Sequence, residues 1–573
     1  MREIPPPATA RPHPRRPALA ALLVTAAGIA WWLAWCPLDR NDLLGDEAYY
    51  GTMARNMLAR PADLLSPSLT PLGAAGDKPP LYPALLAVSV AALGPTEPAL
   101  RWPSILLAAL IVLATAALAA RAAPAPARLA TAALLVALPA FADASRFAQA
   151  EIPVTALGAA ALLIACRPRA AARDGALAGV LLGLAFLCKL WLAGVFVLAA
   201  LLALAPWRRE GRAPAAALLA AAAATGALQL AAVAILRRSE LAHWWEITWG
   251  FSLLSRLGGE GYDESWRQPA GYYATVLLHH FAALVPLVAL GLRSALRRRG
   301  EPAPRALLGW CLGTALLSLF AIKSAGYAYL VLPAWTTLAA LGLTALAAGE
   351  RLPWPAVVVA AALGVPTRAT FPAGLPAAFA LWAGGWIALL AVAAIGARRP
   401  ALRPRLTLVL GAGVLAIGLF REAQRLPQAH NRVGIREAAA VAAGPLADVA
   451  PSRVAYLTPQ APAFAYYTFR SGSYWDQRRD PWSPARRAWV MADTALRVFV
   501  VDPTRSLARG WPDSLTLAWL VRSSREVTGE VERRAGHPVP IRVFVRDVGH
   551  PAAAPASARR PERRAAPRPR RPG

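Results

Sequence analysis

Arg101 to Ala142 reads RWPSILLAALIVLATAALAARAAPAPARLATAALLVALPAFA. Two apolar runs, Trp102–Ala120 and Leu129–Ala142, flank a short loop, Arg121–Arg128, whose only charges are arginines. The first run approaches the roughly 20 apolar residues that carry a helix across a bilayer, and arginine-bearing loops are retained on the cytoplasmic side. The stretch reads as a membrane hairpin with its turn inside, and the rest of the chain is oriented from it.

Composition agrees. Apolar residues make up 57% of the 573, charged residues only 16%, and mean hydropathy is +0.41, which places the chain among polytopic membrane proteins. The net charge of +29 does not indicate a nucleic-acid partner, because the arginines cluster in short loops between apolar runs instead of on one soluble face. Cys36, Cys166, Cys188 and Cys311 lie in or at the ends of apolar runs without metal-ligand spacing, so they read as small core residues.

Apolar runs recur at Pro17–Cys36, Leu81–Leu93, Trp102–Ala120, Leu129–Ala142, Ile152–Cys166, Ala176–Leu187, Leu190–Leu204, Pro214–Ile235, Tyr272–Leu292, Ala306–Ile322, Ala328–Ala348, Pro355–Val365, Gly374–Ile395 and Leu406–Phe420. Pro17–Cys36 lacks small residues at cleavage positions and reads as an uncleaved first span. Counting Leu81–Leu93 as a crossing would send Arg121–Arg128 outside. Treated as an interfacial helix, it leaves Arg121–Arg128, Arg167–Arg173, Arg208–Arg212, Arg293–Arg305, Arg351 and Arg398–Arg405 inside with the basic N-terminus. Arg237 and Arg238, at an outer end, are exceptions.

The expected fold is mainly α, a polytopic bundle of about thirteen transmembrane helices, N-terminus in and C-terminus out. Residues 1–16 form a cytoplasmic basic tail, residues 17–420 the membrane domain with a first outer loop at 38–100. Short β-branched runs at Arg453–Leu457, Arg497–Val501 and Ile541–Val545 predict a small extracytoplasmic α/β domain over 421–550. The Pro- and Arg-rich tail 551–573 has no apolar periodicity and reads as disordered.

This orientation gathers the unusual polar residues on the outer face. Gly45-Asp46-Glu47-Ala48-Tyr49-Tyr50 opens an amphipathic stretch; Asp46 and Glu47 fit either a helix cap with a favourable first-turn anion or an acidic pair serving chemistry at the membrane boundary. Glu151, five residues after Arg146 and followed by Ile152-Pro153, allows the same two readings. Asp77-Lys78-Pro79-Pro80 leads into the interfacial helix, where prolines extend the backbone before it. His243, Trp244, Trp245, Trp249, Arg256, Tyr262, Asp263, Glu264, Trp266 and Arg267 crowd the outer loop 237–270, a mixture suited to stacking on a sugar and holding a phosphate, or to interfacial anchoring. His279 and His280 have no third ligand at metal spacing and read as a packed pair.

Lysine is the rarest basic residue. Three of the 61 Lys and Arg residues are lysine, Lys78, Lys189 and Lys323, and all fall on the outer face. A lysine surviving against so strong an arginine bias marks a place where a compact ammonium is wanted over a planar fork. The alternatives are chance, or interfacial anchoring beside Trp191, Tyr327 and Tyr329.

GDEAYY, DKPPLYPALL, ALRWPS, SRFAQAEIP, GLAFLCK and the K-x-x-x-Y of Lys323 and Tyr327, in that order between Asp46 and Pro333, resemble the GT-C glycosyltransferases, and within them family 39 and the aminoarabinose-transferase-like branch. The resemblance implies an inverting transfer of sugar from a polyprenyl-phosphate donor to a lipid, glycan or protein acceptor outside the cytoplasm of a bacterial inner membrane. It implies Asp46 as catalytic base and Glu151 as a second catalytic acidic site. Glu47, Tyr50, Asp77, Lys78, Arg146, Lys189, Arg256, Arg267, Lys323, Tyr327 and Tyr329 would bind substrate or the departing phosphate.

Asp77 stands where many relatives carry Glu, Glu151 where many carry Asp, and the longer spacing to Pro333 leaves Tyr327 or Tyr329 as the matching tyrosine. No essential metal or other cofactor is expected, with a divalent ion as the alternative since metal dependence varies among GT-C enzymes. Protein O-mannosylation is the rival within the class. A transporter or flippase of lipid-linked sugar is a rival outside it, although here the charges gather at one face instead of threading the bundle. A sensor whose outer C-terminal domain binds ligand while the spans anchor it is a further rival.

Overall fold

The computed structural model describes residues 15–546 apart from 44, 65–66, 68–77, 124–125, 237, 260–266, 282–283, 353, 355–356, 359–361, 363–364, 366–374, 426–434, 447–453, 458–465, 468–472, 475–487, 489, 493–495, 502–513, 537 and 540. The basic stretch before Arg15 and the tail from Pro551 therefore lie outside the described residues, as does Asp77. The chain divides into two compact units. One takes Met1–Leu38, Asp77–Tyr82 and Arg101–Ala429; the other takes Asp39–Gly76, Pro83–Leu100 and His430–Gly573.

In chain order the helices begin with α1 (Arg15–Trp35), α2 (Gly45–Ala59), α3 (Leu81–Leu93), α4 (Glu97–Ala122), α5 (Pro126–Val136), α6 (Pro139–Ser145) and α7 (Glu151–Ala165). Then follow α8 (Ala172–Lys189), α9 (Ala193–Leu204), α10 (Arg209–Leu236) and α11 (Leu241–Trp245), which runs through a π-helix at Glu246–Leu254 into α12 (Ser255–Gly258). After these come α13 (Tyr272–Phe281), α14 (Val285–Arg297), α15 (Pro302–Leu316), α16 (Ala325–Ala328), α17 (Leu332–Ala347), α18 (Leu375–Arg398) and α19 (Arg403–Arg425).

Six stretches among the described residues are long and apolar enough to cross a membrane: Pro17–Trp35, Glu97–Ala122, Ala172–Leu204, Arg209–Ile235, Gly326–Ala347 and Pro400–Phe420. The pair α5 and α6, bent by 70°, makes a seventh if taken as one span. That is fewer than the thirteen or so the apolar runs suggest, because α7, α9, α14 and α15 have only 15, 12, 13 and 15 residues, short of the roughly 20 an upright span needs. The 13 residues of α3 extend about 20 Å, also less than the hydrocarbon core of about 30 Å.

Small residues set the packing. A Cβ on Gly175 would lie 2.0 Å from the Pro214 carbonyl oxygen, one on Gly179 would lie 2.2 Å from that of Leu218, and one on Gly183 would lie 2.9 Å from that of Ala222. Equal four-residue steps in the same direction mean that α8 and α10 run parallel along a glycine seam. Since lipid tails are as apolar as leucine, such close backbone approach supplies the attraction between helices. Two parallel neighbours require a return between them. The helix breaks at Lys189 (φ −158°, ψ 83°), Leu190–Leu192 forms a 3-10 turn, and α9 runs back. Ala172–Leu204 is therefore a hairpin with Lys189 at its apex. Helix α9 then packs antiparallel on α15, Gly309 against Ala199 and Gly313 against Val195.

The loop arginines also close helix ends. Arg121 donates to the Leu163 carbonyl at the end of α7, Arg298 to that of Ala122 at the end of α4, and Arg403 to that of Gly396 in the last turn of α18. Arg305 donates to Leu202 at 2.8 Å and Ala203 at 2.7 Å at the end of α9. Terminal carbonyls have no partner within their own helix and carry the negative end of its dipole, so these guanidiniums satisfy and neutralise them together.

The second unit holds α20 (Ile435–Leu446), α21 (Ser514–Ser523), α22 (Thr528–Ala535) and a five-stranded sheet: β1 (Val454–Leu457), β2 (Ser473–Tyr474), β3 (Val498–Val501), β4 (Arg525–Glu526) and β5 (Arg542–Val545). The strand order is β2-β1-β3-β5-β4, with β1 parallel to β2 and β3 and with β5 antiparallel to β3 and β4. Ala455, Phe499, Val501 and Phe544 project from the sheet onto Trp519 and Leu520 of α21. Asp39–Gly76 and Pro83–Leu100 belong to this unit: Asp42 accepts the Ile435 N–H, and the Tyr467 phenol donates 2.7 Å to Glu97 while accepting the Leu43 N–H. Arg436 closes the set with a 2.5 Å ion pair to Glu97. Burial, with the Glu97 and Asp42 carboxylates beside it, pushes the Tyr467 phenol up, so it stays a donor.

Two outcomes test this account. Gly179→Ala forces the Leu218 carbonyl away and should cost about 1–3 kcal/mol in the thermal unfolding of the detergent-solubilised protein, whereas Gly194→Ala, with nothing within 4 Å, should be neutral or slightly stabilising. In the sheet, hydrogen bonds from Arg542 hold the Glu526 carboxyl below its ordinary 4.5. Its contribution is complete above pH 4.5 and is lost as pH falls through the lowered value, so acid melting curves should converge for wild type and Glu526→Gln.

Candidate functional site

The first unit builds one polar cluster where α7 begins and the α8–α9 hairpin turns. Glu151 is the first residue of α7, and its side chain accepts from the Lys189 ammonium at 2.5 Å. The two side chains are only 10% and 9% exposed. Breaking the helix at Lys189 lets the apex side chain point at the mouth of the neighbouring helix. The ammonium also lies 5.2 Å from the centroid of Tyr327 on α16, within cation–π range.

Tyr327 joins this pair to Arg256. The Arg256 guanidinium donates to the Tyr327 hydroxyl and stands 5.9 Å from the ring centroids of both Trp191 and Tyr327. Trp191, on the hairpin turn, stacks on Phe320 at 4.7 Å and meets the edge of Tyr327 at 4.9 Å. Carboxylate, ammonium, phenol and guanidinium are thus chained along an aromatic wall. Gly326 lies below it, where an added Cβ would stand 3.6 Å from the Glu151 carboxylate.

The backbone that carries Arg256 pairs with the segment leading to a second lysine. Residues 256–257 pair with 321–322: the Ile322 N–H donates to the Arg256 carbonyl at 3.0 Å and the Ala321 N–H to that of Leu257 at 3.2 Å. Gly259, with φ +80°, ends α12 in the left-handed region open to glycine. The Lys323 ammonium donates to the carbonyls of Gln268 and Phe320, and burial lowers its pKa. Lys323 thus ties the Gln268 end of the loop to Phe320 in the segment before α16.

Arg146 caps α6 and turns its buried guanidinium to Cys36, with Asp143 at 3.9 Å. Arg267 is exposed and donates to the Gly259 carbonyl at 3.2 Å. Lys78 is half-buried ahead of α3, and Tyr329 is half-buried one step past α16, two residues after the Tyr327 that Lys189 faces. In the second unit, Asp46 is exposed in the first turn of α2, and Glu47 and Tyr50 are buried on the same helix. Tyr262, Asp263, Glu264 and Trp266 lie outside the described residues, as do the side chains of His243, His279 and His280. Among the described residues no three His, Cys, Asp or Glu side chains converge.

Sequence reading missed Phe320 and the Tyr467–Glu97–Arg436 set. Phe320 carried no signal among so many apolar neighbours, and the other three are far apart in the chain.

The structure is similar to that of ArnT from Cupriavidus metallidurans bound to undecaprenyl phosphate, with a TM-score of 0.65 and 17% identity over 94% of this chain and 99% of that one. The fold is that of the GT-C glycosyltransferases. A second GT-C structure, the Archaeoglobus fulgidus oligosaccharyltransferase tethered with an acceptor peptide containing the NVT sequon, is similar at a TM-score of 0.53 and 13% identity, covering 85% of this chain and 70% of that one. Residues 77–235 match the family model described as dolichyl-phosphate-mannose-protein mannosyltransferase; within that segment fall Lys78, Arg146, Glu151 and Lys189. No curated protein sequence matches the chain.

The buried pair makes a specific demand. Lys189→Met leaves the Glu151 carboxylate buried without its cation and should destabilise by about 3–5 kcal/mol. The double variant Glu151→Gln/Lys189→Met should recover most of that loss, as read from thermal unfolding in detergent. Unchanged melting in the single variant would show that the pair is not closed.

Proposed function

We propose that this multi-pass membrane protein is an inverting glycosyltransferase. It moves a sugar from a polyprenyl-phosphate donor to an extracytoplasmic acceptor, whether lipid A, an envelope glycan or a protein hydroxyl. The observation that carries the reading is the chain Glu151–Lys189–Tyr327–Arg256 at the hairpin apex of a GT-C fold. The donor class is supported by the similarity to ArnT, whose structure holds undecaprenyl phosphate. Orientation follows the arginine loops: N-terminus in the cytoplasm, the sheet domain outside, in a bacterial inner membrane.

The reaction breaks the bond between the anomeric carbon and the donor phosphate oxygen, and the electron pair leaves with the phosphate. The acceptor oxygen forms the new bond on the opposite face and loses its proton to Asp46. Negative charge grows on the departing phosphate, and prearranged cations stabilise that growth most in a water-poor site. Lys189 is matched by Glu151, so this pair acts chiefly by holding Tyr327, and through it Arg256, in place. Arg256, Lys78 and Arg267 are the cations assigned to phosphate. Lys323 acts by fixing the loop that presents Arg256 and Arg267.

Transfer from a labelled polyprenyl-phosphate sugar by the purified protein tests the reading. Loss of a general base costs about 100-fold or more, so Asp46→Asn should lower turnover by that amount with donor binding retained; a phosphate acceptor would need less base assistance. Full turnover in the variant would remove Asp46 from the mechanism. Passage of intact lipid-linked sugar between leaflets, without bond cleavage, would instead identify a flippase.

A further inference from the structure

On the arginine-rich side, away from the Glu151 cluster, the ends of α9 and α14 and the start of α15 enclose a groove of about 560 Å³. Leu202 and Leu308 line it with Trp207, Arg208, Arg297, Arg299 and Arg305. The charges in it are unevenly balanced. Arg297 is paired with Glu350 at 2.8 Å, and neighbouring Arg298 with Glu301. Arg305 gives its donors to the carbonyls of Leu202, Ala203 and Gly300, which satisfies its hydrogen bonds but leaves its charge. Among the described residues, no carboxylate forms an ion pair with Arg208, Arg299 or Arg305.

Three guanidiniums without an ion pair line one concave space, with Glu210 the carboxylate acting on Arg305, beside two leucines and a tryptophan that is 58% exposed. Free arginines on a wet surface would splay apart. Here the carbonyls of Leu202, Ala203 and Gly300 hold Arg305 in place, and Arg208 and Arg299 line the same groove. Guanidinium matches phosphate oxygens through paired hydrogen bonds; tryptophan sits at the headgroup level.

We infer that this groove is a binding site for an anionic phospholipid of the cytoplasmic leaflet, its phosphate held by Arg208 and Arg299 over Arg305 and its acyl chain laid along Leu202 and Leu308. Trp207 marks the headgroup plane. The site is separate from the proposed reaction and does not depend on it.

Native mass spectrometry of the full chain, with phosphatidylglycerol or phosphatidylcholine added to the micelles, tests the assignment. Wild type should retain phosphatidylglycerol preferentially. Arg208→Gln/Arg299→Gln should weaken its binding about 30-fold, from about 1 kcal/mol per cation near a phosphate surface, while Arg208→Lys/Arg299→Lys should restore most of it. Arg398→Gln/Arg399→Gln, on the same side but outside the groove, should leave binding unchanged. The assignment fails if the Gln pair retains phosphatidylglycerol like wild type, if the control pair loses it equally, or if phosphatidylcholine is held as well. Displacement of the lipid by millimolar inorganic phosphate would also overturn it, in favour of a soluble anion site.

Discussion

The Glu151–Lys189 ion pair is the interaction on which the first unit's candidate site depends. Two ions taken from water cost several kcal/mol each, and only close contact with further partners repays that cost. The contact requires α8 to stop at Lys189 and α7 to start at Glu151, so a helix break and a helix start meet at one level. Tyr327 and Arg256 then extend the pair into a chain of polar groups backed by Trp191 and Phe320. Any slip of α8 along α10 would part the charges. The glycine seam between those helices admits little slip, because each glycine faces a backbone carbonyl.

Lysine and arginine divide the work by chemistry. On one side, arginines reach across to carbonyls at helix ends, where a broad fork of donors can serve two carbonyls at once, as Arg305 does. Near Glu151 the polar groups are closer together and the cation must be compact. Lys189 puts a point charge between a carboxylate and an aromatic face, and Lys323 turns its ammonium onto two carbonyls of adjoining segments. This gives physical content to the rarity of lysine in the chain.

Much of the fold was legible because membrane insertion leaves a one-dimensional trace. Apolar runs mark helices without long-range information, and the 13 residues of α3 are fewer than an upright span needs. Span number was less legible. An apolar run such as Leu190–Leu204 becomes a 12-residue helix returning from a hairpin, and hydropathy does not distinguish that from a full crossing. The sheet domain was readable as alternating short β-branched runs. Its strand order was not, since β1 pairs on both sides with strands distant in sequence.

Glu151, Lys189, Arg256 and Tyr327 each stood out singly in the sequence, as rare charges or aromatics at the ends of apolar runs. Composition and order alone determined a helical membrane protein with GT-C-like motifs. Only the tertiary structure decided that Lys189 belongs to Glu151, that its ammonium lies over the Tyr327 ring, and that Arg146 turns toward Cys36. The reason is that a side chain's partner depends on helix breaks and on which helices run parallel. Those follow from close backbone packing between segments far apart in the chain, which a linear pattern of polarity does not encode.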